Sequence, residues 1–118
     1  MQSYRELIIW QKGMQLVKSV YQIVRMFPKD ELYGLSDQLR RAAVSIPSNI
    51  AEGYGRNSKK DFSHFLSIAR GSVFEVETQI RIAVMLELIT SEQAQEALNL
   101  STECSKILTA MIGKLSPE

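Results

Sequence analysis

A chain of 118 residues with 45% hydrophobic and 23% charged side chains has the makeup of one ordered globular domain spanning 1–118, able to bury roughly two-thirds of the surface its unfolded form exposes. No apolar run nears the ~18 residues of a membrane crossing, the opening MQSYRELIIW is too short in its apolar run and carries Glu6, and the lone Cys104 cannot close an internal disulfide, so a cytoplasmic protein without membrane attachment is expected. The net charge of +1 calls for no partner, yet residues 1–81 hold twelve Lys or Arg against eight acids while residues 82–118 hold two against five, an asymmetry that can make one surface cationic.

The first predicted helix runs from about Glu6 to Met26. Trp10, Met14, Val17, Tyr21 and Val24 recur at steps of four and three, and Leu16, Val20, Ile23 and Phe27 form a second row beside them, which together predict a broad buried face. Phe27-Pro28 ends it, because a residue preceding proline avoids the helical region. KDELYG, residues 29–34, is then a connection with room for one helical turn.

A second helix is predicted from Leu35 to Gly53, with Leu35, Leu39, Ala42, Ala43, Ile46 and Ile50 in one stripe. Pro47 sits inside it, where the missing donor and the ring predict a kink or a restart. Arg41, Ser45, Ser48 and Glu52 share the opposite side, with Arg40, Val44, Pro47 and Ala51 beside them. Small residues there let another backbone come close and predict contacts on both sides, although a solvated face that happens to be small also fits. Asn49 and Glu52 become polar groups near an interior in need of partners, an i, i+3 hydrogen-bond pair between them being one arrangement. Gly53 and Gly55 are read as a left-handed C-terminal cap.

The third helix opens at Ser58, whose spacing to Asp61 fits an N-cap, and reaches about Leu88. Phe62, Phe65, Leu66, Ala69, Val73, Val76, Ile80, Ala83 and Val84 mark its core face; a thinner row of Ile68, Ile82 and Leu86, with His64 and Glu75, points elsewhere. Gly71-Ser72 suggests a close crossing, since a mid-helix glycine otherwise costs about 1 kcal/mol. A fourth helix starts at Thr90 with Gln93 completing a capping box and repeats Ala94, Ala97, Ser101, Cys104, Leu108, Met111 and Leu115 as a seam. The fold class is all-α, an antiparallel up-down four-helix bundle.

RRAAVSIPSNIAEG, with YGL upstream, Trp10-Gln11 in IIWQK, the Phe27-Pro28 turn and FLSIARGSVFEVETQI in the second half, resembles the bacterial four-helix-bundle proteins encoded by intervening sequences of large-subunit ribosomal RNA genes. Their relatives include the accessory variability determinants of diversity-generating retroelements. The resemblance covers nearly the whole chain. It implies a ring of five subunits and, in the retroelement relatives, binding of a reverse transcriptase and nucleic acid; for the intervening-sequence branch it implies no settled activity.

Catalytic patterns are not legible. His64, the one histidine, cannot pair with adjacent Ser63 because neighbouring helical side chains diverge, no Cys or His pair has metal-ligand spacing, and the GYG before the third helix lacks the rest of a phosphate-loop pattern. No enzyme and no cofactor are expected. Candidate contacts to RNA or DNA are Arg40 and Arg41, then Arg56, Lys59 and Lys60 in the turn, then Arg70 and Arg81 on the third helix, with binding directed at the phosphate backbone. The other reading is an oligomeric scaffold for a protein partner, with the arginines in inter-subunit salt bridges such as Arg41 with Glu52.

Overall fold

The computed structural model describes residues 3–31 and 34–115. A single 3₁₀ turn, Tyr4–Glu6, precedes α1 (Ile8–Val24); another, Lys29–Glu31, lies in the connection to α2 (Leu35–Tyr54), followed by α3 (Lys59–Met85) and α4 (Ser91–Leu115). The connection thus holds its expected helical turn, while Leu32 and Tyr33, the latter part of the YGL signature, lie outside the described residues.

Each helix packs on its two neighbours in the order α1, α2, α3, α4 and back to α1, giving a four-helix bundle 45 Å long and about 20 Å across. The directions follow from the pairings. Ser45 meets Ser72 while Gly53, later on α2, meets Phe65, earlier on α3, so these helices are antiparallel. Gly13 of α1 faces Pro47 whereas Tyr21 lies beside Arg40 and Val44, which makes α1 and α2 antiparallel as well.

Local signals fix the helix ends. The Ser58 side chain accepts from the Asp61 amide at 3.1 Å, and Thr90 and Gln93 form the reciprocal capping box, with 2.9 and 3.1 Å bonds. α3 stops at Met85, short of Leu88, because Glu87 adopts φ 63; the Leu88 amide then reaches back to the Ala83 carbonyl and the Glu87 amide to Val84, a Schellman ending without glycine.

The core stripe of α2 and the seam of α4 are buried or half-buried as the spacing predicts, and Leu66, Ala69, Val73, Val76, Ile80 and Ala83 carry the core face of α3. Cys104 is fully buried, and desolvation raises its thiol from 9.0 to about 11, with Glu103 adding to the rise.

The structure departs from the sequence expectations at several positions. On α1 the core row is Ile9, Leu16, Val20 and Ile23, with Phe27 beyond the helix end; of the other row Val24 is buried, Trp10 and Val17 are half-buried, and Met14 and Tyr21 are exposed. That row flanks the small residues of α2, which leave it uncovered. Gly53 and Gly55 are not left-handed; Asn57 takes φ 60 instead. Gly53 is required by space, since a Cβ there would lie 2.6 Å from Phe65 Cβ. Gly71 marks no close crossing within the chain, because a Cβ there would meet nothing within 4 Å. The close approach falls at Gly13, whose added Cβ would sit 3.3 Å from Ile46 Cγ2 and 3.6 Å from Pro47.

α2 does not restart at Pro47. The Asn49 amide donates to the Ser45 carbonyl at 2.8 Å and to Ser45 Oγ at 2.9 Å, and that hydroxyl also meets Ser72 Oγ at 2.9 Å. Asn49 therefore has no bond to Glu52, which pairs with Arg56 instead. One side of α2 is contacted by α3 as expected, whereas Arg41, Ser48 and Glu52 on the other side are exposed.

Candidate functional site

The seven basic candidates fall in three places. Arg40 and Arg41 stand early on α2, about 20 Å along its axis from the turn that holds Arg56, Lys59 and Lys60. Arg70 and Arg81 occupy the α4 side of α3, roughly 16 Å apart by helical rise, where Arg70 donates to Thr109 Oγ1 at 3.2 Å. No single patch unites them.

Most of the guanidinium groups are engaged within the chain. Arg41 pairs with Asp37 at 3.2 Å, Arg81 with Glu77 at 3.3 Å and Arg56 with Glu52 at 2.7 Å, each one helical turn apart. Arg56 also lies 5.0 Å from the centroid of the Phe65 ring. The expected Arg41–Glu52 pair between subunits thus competes with an internal partner on each side. These pairs are exposed, and such contacts contribute on the order of 0.2–1 kcal/mol and yield readily to a competing anion.

Lys59 and Lys60 differ. Both are exposed and have no ion-pair or hydrogen-bond partner among the described residues. They occupy the first turn of α3, where backbone amides are unpaired by helix geometry and the helix end is partly positive. Asp61 is the acid in that turn and its amide donates to the Ser58 side chain, so Arg56, Lys59 and Lys60 stand close in the chain with one neighbouring carboxylate and the already paired Glu52. Cationic side chains at a helix N-terminus are the kind of surroundings that favour an anion. His64, one turn on, is exposed and stacks edge-on against Phe65 at 5.5 Å.

A second feature escaped sequence reasoning. Between α1 and α2 lies an open groove of about 360 Å³, walled by Tyr4, Trp10 and Met14 and floored by Val44, Ser48 and Ala51. Met14 is 45% exposed and Val44 42%. The signal was present in the small residues of α2, but the apolar row of α1 that borders them reads from sequence as core. Among the described residues no group of three or more His, Cys, Asp or Glu could hold a metal ion, and no helix is long and apolar enough to cross a membrane.

Fold and surface together define a class: small all-helical bundle proteins whose worked features lie on the outside, as a basic turn and an uncovered apolar flank. The chain belongs to the 23S rRNA-intervening sequence protein family, whose model matches residues 5–110. It is similar to the crystal structure of a protein with unknown function from the S23 ribosomal protein family of Bacteroides thetaiotaomicron, with a TM-score of 0.83 and 27% identity over 89% of this chain and 98% of that one. A search of curated protein sequences gives no match.

Proposed function

We propose that this protein is a non-enzymatic, cytoplasmic homo-oligomer that holds the phosphate backbone of RNA or DNA at the turn between α2 and α3. The observation that carries the nucleic-acid part is the unpaired Lys59 and Lys60 at the start of α3, with Arg56 alongside. A ring repeats this turn in every subunit, so a chain of net charge +1 presents several cationic sites to one strand. Five subunits is the number the family resemblance implies. The exposed apolar side chains of α1, α2 and α3 support self-association.

Within that reading Pro47 bends α2. Its nitrogen has no proton for the Ala43 carbonyl, and the side chain of Asn49 steadies the next turn through Ser45.

A gel-shift titration at two salt concentrations tests the proposal. Log affinity for duplex falls with log salt by about 0.9 per phosphate neutralised, so the parent should weaken steeply. Replacing Arg56, Lys59 and Lys60 by Ala should weaken binding and flatten that slope without changing the oligomer. Tight binding by the triple variant at both salt concentrations rules the turn out. The second reading, a scaffold for a protein such as a reverse transcriptase, is favoured by the internal pairing of Arg41, Arg56 and Arg81, and it requires no shift by the parent at either salt concentration.

A further inference from the structure

Helix α3 turns outward a strip that a solvated helix would not carry. Ser67, Gly71, Phe74, Thr78 and Met85 fall within about 60° on its wheel. All five are exposed, Phe74 to 49%. Nothing within the chain calls for a glycine at position 71, where an added Cβ meets open space. From Ser67 to Thr78 the exposed charged residue is Glu75, which has no ion-pair or hydrogen-bond partner among the described residues. The strip is therefore an aromatic knob with small neighbours on both sides and one unanswered acid beside it.

The groove between α1 and α2 has the opposite form. It is concave and lined by small residues of α2, and Val44 on its edge also borders a second hollow beside Tyr21, where Arg40 and Arg41 stand with Asp37. An aromatic ring suits its shape and apolar walls, and a carboxylate suits the second hollow. Knob and groove lie on different helices of the same chain, so they cannot satisfy each other within one copy. Pairing unlike faces head to tail covers both on every copy when the rotation closes.

We propose that the groove between α1 and α2 receives the Phe74 strip of a second copy of this chain, the ring seating between Met14 and Val44 and Glu75 reaching the hollow that carries Arg40 and Arg41. This rests on the oligomer proposed above and specifies which faces meet. Gly71 then has a role, since a residue without a side chain lets the strip approach the groove rim, and the small residues at Ser48 and Ala51 have the matching role opposite.

Cross-linking tests the arrangement. Ser48 lies in the groove and Ser67 on the strip, both are exposed, and cysteine is nearly isosteric with serine. A chain carrying both Ser48→Cys and Ser67→Cys, treated with a short thiol-specific bis-maleimide, should give a ladder of covalent multimers. Each single variant should give no more than the parent, whose Cys104 is buried. Phe74→Glu should weaken assembly at least tenfold by sedimentation while leaving far-ultraviolet circular dichroism unchanged. A parent that sediments as an oligomer but yields no ladder from the double variant overturns the assigned faces and leaves the oligomer standing, as does Phe74→Glu assembling as tightly as the parent. A parent that sediments only as a 13.4 kDa monomer overturns both and leaves the strip to another protein.

Discussion

Helices α3 and α4 pack side by side, have similar lengths of 27 and 25 residues, and bury comparable apolar faces, yet their outward faces differ in kind. That of α4 carries Glu92, Gln95, Glu96, Asn99, Glu103 and Lys106, the surface of a helix that meets water. The outward side of α3 carries Phe74 and Met85, with Gly71 before them and Thr78 between. None of the large hydrophobic side chains exposed among the described residues lies on α4. The inner faces answer to the bundle; the outer face of α3 carries apolar side chains that the single chain leaves uncovered.

The inner faces should be the costly ones to disturb. Gly53→Ala places a methyl 2.6 Å from Phe65 Cβ on the inner side of α3, an overpacking that neither backbone can avoid without separating α2 from α3. A loss of about 3 kcal/mol is expected in denaturant titration, the upper part of the range for such insertions. A fall below about 0.5 kcal/mol would show that the two helices slide apart freely.

On the inner side of α4 the lever is pH. The Cys104 thiol sits at about 11 when folded against 9.0 as its ordinary value, so both states are protonated below pH 9 and the native state keeps its full stability there. As pH rises from 9 towards 11 the unfolded chain ionises first, and stability drops by up to roughly 3 kcal/mol. Cys104→Ala should be less stable at neutral pH but show a shallower alkaline decline than the parent; parallel melting profiles from pH 8 to 11 would remove Cys104 from the effect.

Along the flank of α3 that meets α2, Asn49→Ala removes both donations to Ser45 and is expected to cost about 1–2 kcal/mol, leaving the Ser45–Ser72 bond in place. Asn57→Ala is not the silent control that its place in a turn suggests, since φ 60 suits Asn or Gly and alanine there costs about 1 kcal/mol. Asn57→Gly is the appropriate control, with a change near zero in melting temperature.

The smallest effects bear most directly on the outer faces. Gly71 and Gly113 both have open space around an added Cβ, one on α3 and one in the last turn of α4. Alanine at either should stabilise the folded chain, by about 0.5–1 kcal/mol at position 71 and less in the last helical turn at 113. Sedimentation separates them: Gly71→Ala should assemble more weakly than the parent and Gly113→Ala equally well. Identical assembly would make the two outer faces equivalent after all.

Much of this architecture is legible in the residues. Ser58 with Asp61 and Thr90 with Gln93 are local devices, read within four positions, and they place helix starts to within one residue. The core faces of α2, α3 and α4 are legible because each has one dominant apolar row. α1 has two rows of similar strength, and periodicity cannot say which has a neighbour within the chain and which is left open. Glycines mislead for a related reason: Gly53 and Gly71 differ only in what stands opposite, which a one-dimensional pattern does not hold. Of the basic candidates, sequence identifies the charges but not their engagement, so Lys59 and Lys60 look no different from Arg41 and Arg81 until the acids one turn away are found to be within reach.

The seam between the first and last helices has a kinetic consequence. α2, α3 and α4 are joined by short connections and can dock as successive hairpins with little loop entropy to overcome. Closing α1 onto α4 brings together residues as distant in the chain as Lys12 and Glu103, whose 3.4 Å bridge spans 91 positions. α1 should therefore dock last and open first, with the fastest native-state hydrogen exchange of the four helices in its central amides. Because Trp10 and Met14 wall the groove, that surface is completed only with the final step of folding, so a nascent chain cannot recruit another copy through the groove before its own bundle has closed.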